Sequence, residues 1–299
     1  MQLYENRYWW SKDGLRLHAR DYGGDGAGAD QGRPPILCLP GLTRNARDFD
    51  DFARRLAGGR RVIAADLRGR GESAYAKDPM TYGPLTYVQD IEALLADLGL
   101  ARFVVVGNAL GGIVAMLLAA AGPERIAGAI INDVGPEIEA AGLARIRSYV
   151  GRGSAYPTWM HAARAVAEAH GDVHPGWEIE DWLAMAKRLY RLNSGGRVVL
   201  DYDMKIAEPF RVPGNEAGPD MWGALAALRQ VPVLVVRGGR SDVLSARVAA
   251  RMIASLDRAE LAEVPGVGHA PTLSEPVLAA PVGRLLASAR LSVFDEGIA

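Results

Sequence analysis

Short apolar runs recur along the chain, and most are followed by a stretch in which apolar residues return every three or four positions. Ile36 to Leu39, Arg61 to Asp66, Val104 to Val106, Ile126 to Ile131, Val231 to Val236 and Ala259 to Val264 have the length and composition of buried strands. Asn45 to Leu56, Tyr87 to Leu98, Ile113 to Ala119, Ala246 to Leu256 and Glu275 to Leu286 have helical periodicity, with Phe49, Phe52, Ala53 and Leu56 on one face of the first. Ahead of them, Tyr8-Trp9-Trp10 and Leu15 to Tyr22 alternate as two strands around Asp13-Gly14, a hairpin signal. Strands alternating with helices predict an α/β fold: a mainly parallel, doubly wound sheet covered on both faces.

The rhythm changes between Glu137 and about Val212, where helical patterns continue without a clear buried strand. Leu143, Ile146 and Val150 share one face, and Ile179, Trp182, Leu183, Ala186, Leu189 and Tyr190 form a broader one. Residues 1–134 and 213–299 are therefore expected to form the α/β core, with 135–212 inserted as a helical cap or lid. More than a third of the aromatic residues fall in that insertion, and most are expected simply to pack its helices onto the core.

Bulk properties narrow the picture. The chain has 299 residues and a formal net charge of −1, which gives no reason to expect nucleic acid or a membrane surface as partner. Cys38 is the single cysteine, so no internal disulfide forms; inside Ile36-Leu37-Cys38-Leu39 it reads as a small buried residue. Met1 to Arg20 has no apolar signal region and no apolar run approaches membrane-spanning length, so a cytoplasmic protein is the default expectation. His18 alternates with apolar neighbours and reads as a strand histidine.

The stretch with the most chemical content is Val104-Val105-Val106-Gly107-Asn108-Ala109-Leu110-Gly111-Gly112. It matches the strand–turn–helix pattern G-x-S-x-G of a nucleophile elbow at every position but one, with Ala109 where the nucleophile belongs. Gly107 and Gly111 suit the crowded backbone of such a turn. Position 109, Asp242 and His269 all fall at predicted strand exits, the edge where parallel sheets build their sites.

In these features the sequence resembles the α/β-hydrolase superfamily along nearly its whole length. The pieces that carry the resemblance are Pro40-Gly41-Leu42, Asp66-Leu67-Arg68-Gly69-Arg70-Gly71-Glu72-Ser73, Gly107-Asn108-Ala109-Leu110-Gly111-Gly112, Ser241-Asp242 and Gly268-His269-Ala270-Pro271. The chain order nucleophile–acid–histidine is that of the superfamily. The resemblance implies His269 as general base, Asp242 as the carboxylate that orients it, and the backbone N–H groups of Leu42 and Leu110 as oxyanion donors. Asp133, also at a strand exit, is a competing acid; Asp242 is preferred because Gly-x-x-Ser-Asp after an apolar strand is the commoner arrangement. The cap is expected to supply an apolar pocket with Trp159, Trp182, Tyr190 and Trp222 as walls. His170-Gly171-Asp172-Val173-His174 reads as a loop rather than a metal site, and no metal or other cofactor is expected.

Alanine has no lone pair with which to attack. Removing the nucleophile of such a triad costs on the order of 10⁶ in turnover. The chain is read as a serine hydrolase of a carboxylic ester or lactone, a small-molecule substrate, in an inactive Ser-to-Ala form. Retention of the surrounding residues favours that change over a natural ligand-binding pseudoenzyme. Leu110, rather than an aromatic residue, argues against an aspartate nucleophile of the epoxide hydrolase or haloalkane dehalogenase kind. Gly-Asn-x-x-Gly-Gly also leaves open hydrolysis of a C–C bond in a vinylogous diketone.

Overall fold

Four adjacent strands with almost no polar side chains form the centre of the sheet: β3 (Ile36–Leu39), β4 (Val62–Asp66), β5 (Phe103–Asn108) and β6 (Ile126–Asn132). A computed structural model of the chain describes residues 3–23, 32–56, 59–211 and 220–290. It adds β1 (Glu5–Trp10) and β2 (Arg16–Tyr22) at one edge, and β9 (Val233–Gly238) and β10 (Ala259–Val264) at the other. The strand order is β1-β2-β4-β3-β5-β6-β9-β10, with β2 antiparallel to both neighbours and every other pairing parallel. This is the mainly parallel α/β sheet that the strand–helix alternation predicts.

Alternation of side chains along each strand divides the core in two. Leu37, Ile63, Val105, Ile131 and Val235 point to the face covered by α2 (Pro84–Asp97), α3 (Leu110–Ala121), α7 (Met221–Ala226) and α8 (Ala246–Ala254). Ile36, Ala64, Val104, Val106, Ile130 and Leu234 point to the face covered by α1 (Asp50–Leu56) and α9 (Ala279–Ser288). Cys38 is fully buried on this second face, and burial pushes its thiol far above the ordinary range.

Several element limits differ from the pattern, each for a local reason. Helix α2 begins at Pro84 because proline at the first position, after extended Gly83, starts the helix before its apolar periodicity does. The segment Ala46–Phe49 is a 3₁₀ turn capped by the Asn45 side chain, and the α-helix starts only at Asp50. A 3₁₀ turn, Pro276–Leu278, likewise precedes α9.

The insertion between β6 and β9 carries α4 (Ala140–Tyr149), α5 (Trp159–His170) and α6 (Ile179–Leu189). It also carries a hairpin that the helical pattern misses, β7 (Tyr190–Leu192) with β8 (Val198–Leu200). The turn between them is closed by Asn193, whose Oδ1 accepts the N–H groups of Gly195 and Arg197. Ala162, Val166, Trp182, Met185, Ala186 and Leu189 make an apolar cluster separate from the two sheet cores. The expected cap limit at 212/213 lies outside the described residues.

Charged groups bolt the loops over the sheet's C-terminal edge. The buried Asp66 carboxylate accepts the N–H groups of Ala46 (2.6 Å) and Glu72 (3.0 Å) and lies 2.7 Å from His18 Nδ1. His18 is thus a strand histidine, tied on its other nitrogen to Asn6. Arg68 grips Asp90 and Asp13, and its hydrogen bonds hold the Asp13 carboxyl down to about 2. Arg70, packed over the Tyr87 ring, donates through Nε to the carbonyl of Leu42 (2.9 Å) and so anchors the loop after β3. The return from the insertion is stitched down by Gly71 N–H to Asp201 O and Asp203 N–H to Gly69 O.

The tightest approach is at the start of α3. A Cβ on Gly107 would lie 2.4 Å from the Gly111 carbonyl oxygen, and one on Gly111 would lie 2.0 Å from that of Leu39. Both partners are backbone, so neither can swing aside. Gly111→Ala is expected to destabilise the protein by about 3 kcal/mol or more, read as a drop in the urea midpoint at unchanged slope; a change under about 1 kcal/mol would show that β3 and α3 can separate.

Candidate active site

Strand β5 ends at Asn108 and α3 starts at Leu110, so the whole reversal of direction falls on one residue. Ala109 takes φ 48° and ψ −113°, a conformation that L-residues avoid. It is held there by its own N–H to Asn132 O (2.9 Å) and by Gly112 N–H to its carbonyl (2.8 Å). Ala109 lines a cavity of about 210 Å³ between the sheet edge and the insertion, together with Leu42, Leu110 and His269. Leu110 is the first residue of α3, so its N–H has no partner within the helix. The N–H of Leu42 likewise donates to no acceptor among the described residues.

His269 Nδ1 lies 2.8 Å from Asp133 Oδ2. The pairing of His269 with Asp242 expected from the Gly-x-x-Ser-Asp pattern does not form. Asp133 is fully buried and also accepts the Gly238 N–H (2.8 Å) and the Ser241 hydroxyl (2.7 Å). Its backbone is left-handed (φ 56°), which turns the side chain across the strand exits toward β9 and the His269 loop. Asp242 is instead taken by the insertion: Arg145 of α4 binds it through Nε (2.5 Å) and Nη2 (2.8 Å). Those bonds hold the Asp242 carboxyl below the ordinary carboxylate range. The signal for Asp133 was present in the sequence as a residue type that tolerates positive φ at the end of a buried strand. Asn132 beside it, missed from the sequence, donates to Asn108 Oδ1 (3.1 Å) and to Pro271 O (2.8 Å), tethering the histidine loop to the elbow.

Of the four aromatic walls expected, only Trp182 lines the cavity. Trp159 packs into the apolar cluster of the insertion, and Tyr190 lies edge-on to Tyr156 at 5.7 Å. Trp222 sits under Arg251 (3.8 Å) and donates to Glu137, away from the cavity. Helical periodicity marks a buried face without saying which neighbour that face meets, so these residues could not be sorted by pattern alone.

The insertion brings polar groups to the cavity, two of them from the His170 to His174 stretch. Arg145, Tyr149, His170 and His174 line the cavity together with Arg44 of the loop after β3. His170 ends helix α5 rather than lying in a loop. Burial, and then the charges of Arg44 and Arg145, bring His170 down to about 4. Burial, then Arg44 and His170, bring His174 to about 4 as well; its ring stacks on Trp177 with centroids 3.9 Å apart. Burial raises the Tyr149 hydroxyl. Among the described residues no group of three or more His, Cys, Asp or Glu side chains is arranged to hold a metal ion, and no helix is long and apolar enough to cross a membrane.

Residues 36–281 match the model of the alpha/beta hydrolase family. The chain belongs to that family. A crystal structure of an alpha/beta hydrolase from Novosphingobium aromaticivorans is 57% identical, superposes with a TM-score of 0.90, and covers 97% of this chain and 100% of its own. The 3-hydroxybutyrate-oligomer hydrolase of Cupriavidus necator is 33% identical over 258 residues, 83% of this chain and 86% of that protein. The 2-(acetamidomethylene)succinate hydrolase of Mesorhizobium japonicum is 27% identical over 238 residues, 79% of this chain and 81% of that protein. Family membership makes a hydrolase with a small-molecule substrate the functional class of this scaffold.

Two stability effects follow from the site. Ala109→Gly removes a Cβ from a left-handed position and is expected to stabilise the chain by about 1 kcal/mol, seen as a higher melting temperature; an unchanged or lower value would mean the turn is unstrained. His170 and His174 ionise near 6.5 when unfolded and near 4 when folded, so the unfolded chain binds more protons between those values. Stability is expected to decline as pH falls from about 6.5 toward 4. His170→Gln or His174→Gln should each flatten the melting-temperature profile in that window, and parallel profiles would refute the assignment.

Proposed function

We propose that the chain is a serine-hydrolase scaffold for a carboxylic ester or lactone, carrying alanine in place of its serine nucleophile. The observation that supports this reading best is the convergence, around one cavity, of the elbow at Ala109, the unpartnered N–H groups of Leu42 and Leu110, and the His269–Asp133 pair. With serine at 109, Oγ attacks the carbonyl carbon while the free Nε2 of His269 takes its proton. Asp133 accepts the Nδ1 hydrogen bond, fixing the tautomer and stabilising the imidazolium. The tetrahedral oxyanion lies between the two backbone N–H groups. His269 then protonates the leaving alcohol, and water activated by the same imidazole releases the acid. The name of the Cupriavidus necator relative supports an ester as the bond attacked.

As it stands, the chain lacks the attacking oxygen and binds its substrate without cleaving it. The strained geometry of Ala109 supports an elbow shaped for a reactive side chain, because a plain turn would be better served by glycine. The inserted segment 135–212 acts in this reading as the cap that encloses the substrate.

Ala109→Ser is expected to confer hydrolysis of a p-nitrophenyl ester or simple lactone well above background. In that background Asp133→Asn should lower kcat by about 10³–10⁴-fold, because the imidazole loses its orienting acceptor. Asp242→Asn should cost less than tenfold. Steady-state kinetics decide: no activity in Ala109→Ser refutes the hydrolase reading, and a larger loss from Asp242→Asn refutes the choice of acid.

A further inference from the structure

The cavity is lined by more arginine side chains than carboxylates. Three arginines, Arg44, Arg145 and Arg188, reach the cavity, against a single carboxylate among its described lining residues, Asp48. That carboxylate is already engaged, since Arg44 binds it through Nε (2.6 Å) and Nη2 (2.7 Å). Arg145 uses the same edge on Asp242, which lies behind the wall. Arg44 therefore keeps its Nη1 amino group without a hydrogen-bond partner among the described residues, while Arg145 is hydrogen-bonded to Tyr149 as well as to Asp242. The one further contact of Arg44 is Nη2 with the Met185 sulfur (2.9 Å), a weak acceptor.

The two arginines come from different layers, one from the core loop after β3 and one from helix α4. They nonetheless converge, because Tyr149 and His170 each feel the charge of both. Tyr149 and His170 meet edge-to-face, ring centroids 6.1 Å apart. Both carry a hydrogen-bonding group into the same region, and a neutral imidazole still donates through one nitrogen. An alkyl chain leaves these donors unused, and an ester or lactone carbonyl offers them only one uncharged acceptor oxygen. A planar, two-oxygen anion matches them, since guanidinium groups bind carboxylates with directed, charge-assisted hydrogen bonds that strengthen away from bulk water.

We propose that the substrate of this site is an ester carrying a free carboxylate, held by Arg44 and Arg145 at the cap end while the ester carbonyl lies at position 109. This rests on the hydrolase reading for the identity of the scissile group, but the carboxylate site itself is independent of turnover. The insertion then selects substrate and holds its orientation: the fixed carboxylate sets how far the ester can reach toward the two backbone N–H groups.

The chain as it exists, with Ala109, allows a binding test without hydrolysis. Isothermal titration calorimetry at neutral pH compares 3-acetoxybutyrate with methyl 3-acetoxybutyrate, which differ in the one charge. The acid is expected to bind at least tenfold more tightly, and the gap should shrink to within about threefold in Arg44→Gln and in Arg145→Gln. Arg145→Lys keeps the charge next to half-exposed Asp242 but loses the fork, and should restore part of the preference. Equal affinities for the two compounds, binding of neither, or a preference that survives in both glutamine variants overturns the proposal. If the preference behaves as expected while Ala109→Ser hydrolyses nothing, the carboxylate site stands and the hydrolase reading falls.

Discussion

One buried carboxylate ties together three of the loops on which the site depends. Asp133 has no solvent exposure, and no arginine or lysine among the described residues hydrogen-bonds to it; its oxygens are met by the Gly238 N–H, the Ser241 hydroxyl and His269. A buried carboxylate is costly unless its oxygens are satisfied, so these donors must stay in place for the chain to remain folded. They come from the ends of β9 and β10, while Asp133 itself ends β6. The approach is close: a Cβ on Gly238 would lie 2.4 Å from the Gly268 carbonyl oxygen. The position of the imidazole is therefore a consequence of satisfying a charge.

The elbow obeys a complementary constraint, steric rather than electrostatic. Gly107, Gly111 and Gly112 let α3 start in contact with β3 and β5, and Ala109 absorbs the left-handed turn that results. The Leu110 N–H at the start of α3 is then left without a helical partner beside the cavity, and the same helix end favours negative charge. On the other side, Arg70 fixes the Leu42 carbonyl, which leaves that residue's N–H as a donor to the cavity. Two rigid backbone segments thus present donors beside the Ala109 side chain.

The insertion contributes charge as well as apolar cover. Arg145 pairs with Asp242, which does not bond to His269, and its side chain lines the cavity. His170 and His174, kept neutral by burial and by the arginines, add donors without adding charge at neutral pH. His269, paired with Asp133, and the two histidines of the insertion occupy different environments within one cavity.

The alternation of short apolar strands with amphipathic helices was enough to determine the parallel sheet, because each periodicity reports a backbone geometry that local sterics impose. The elbow was legible for the same reason: the spacing of its glycines reflects backbone contacts that no other residue permits. Placing position 109, Asp133, Asp242 and His269 at strand exits needed only the positions of the strand ends. Which of two exit carboxylates hydrogen-bonds to His269 was decided by tertiary structure. It depended on the left-handed backbone of Asp133 and on an arginine nearly a hundred residues from Asp242 in the chain. Which aromatics face the cavity was decided in the same way, since the rotation of α5 and α6 follows from how they pack on each other. Short-range sterics write themselves into sequence patterns; pairing between distant charges and the facing of one helix toward another do not.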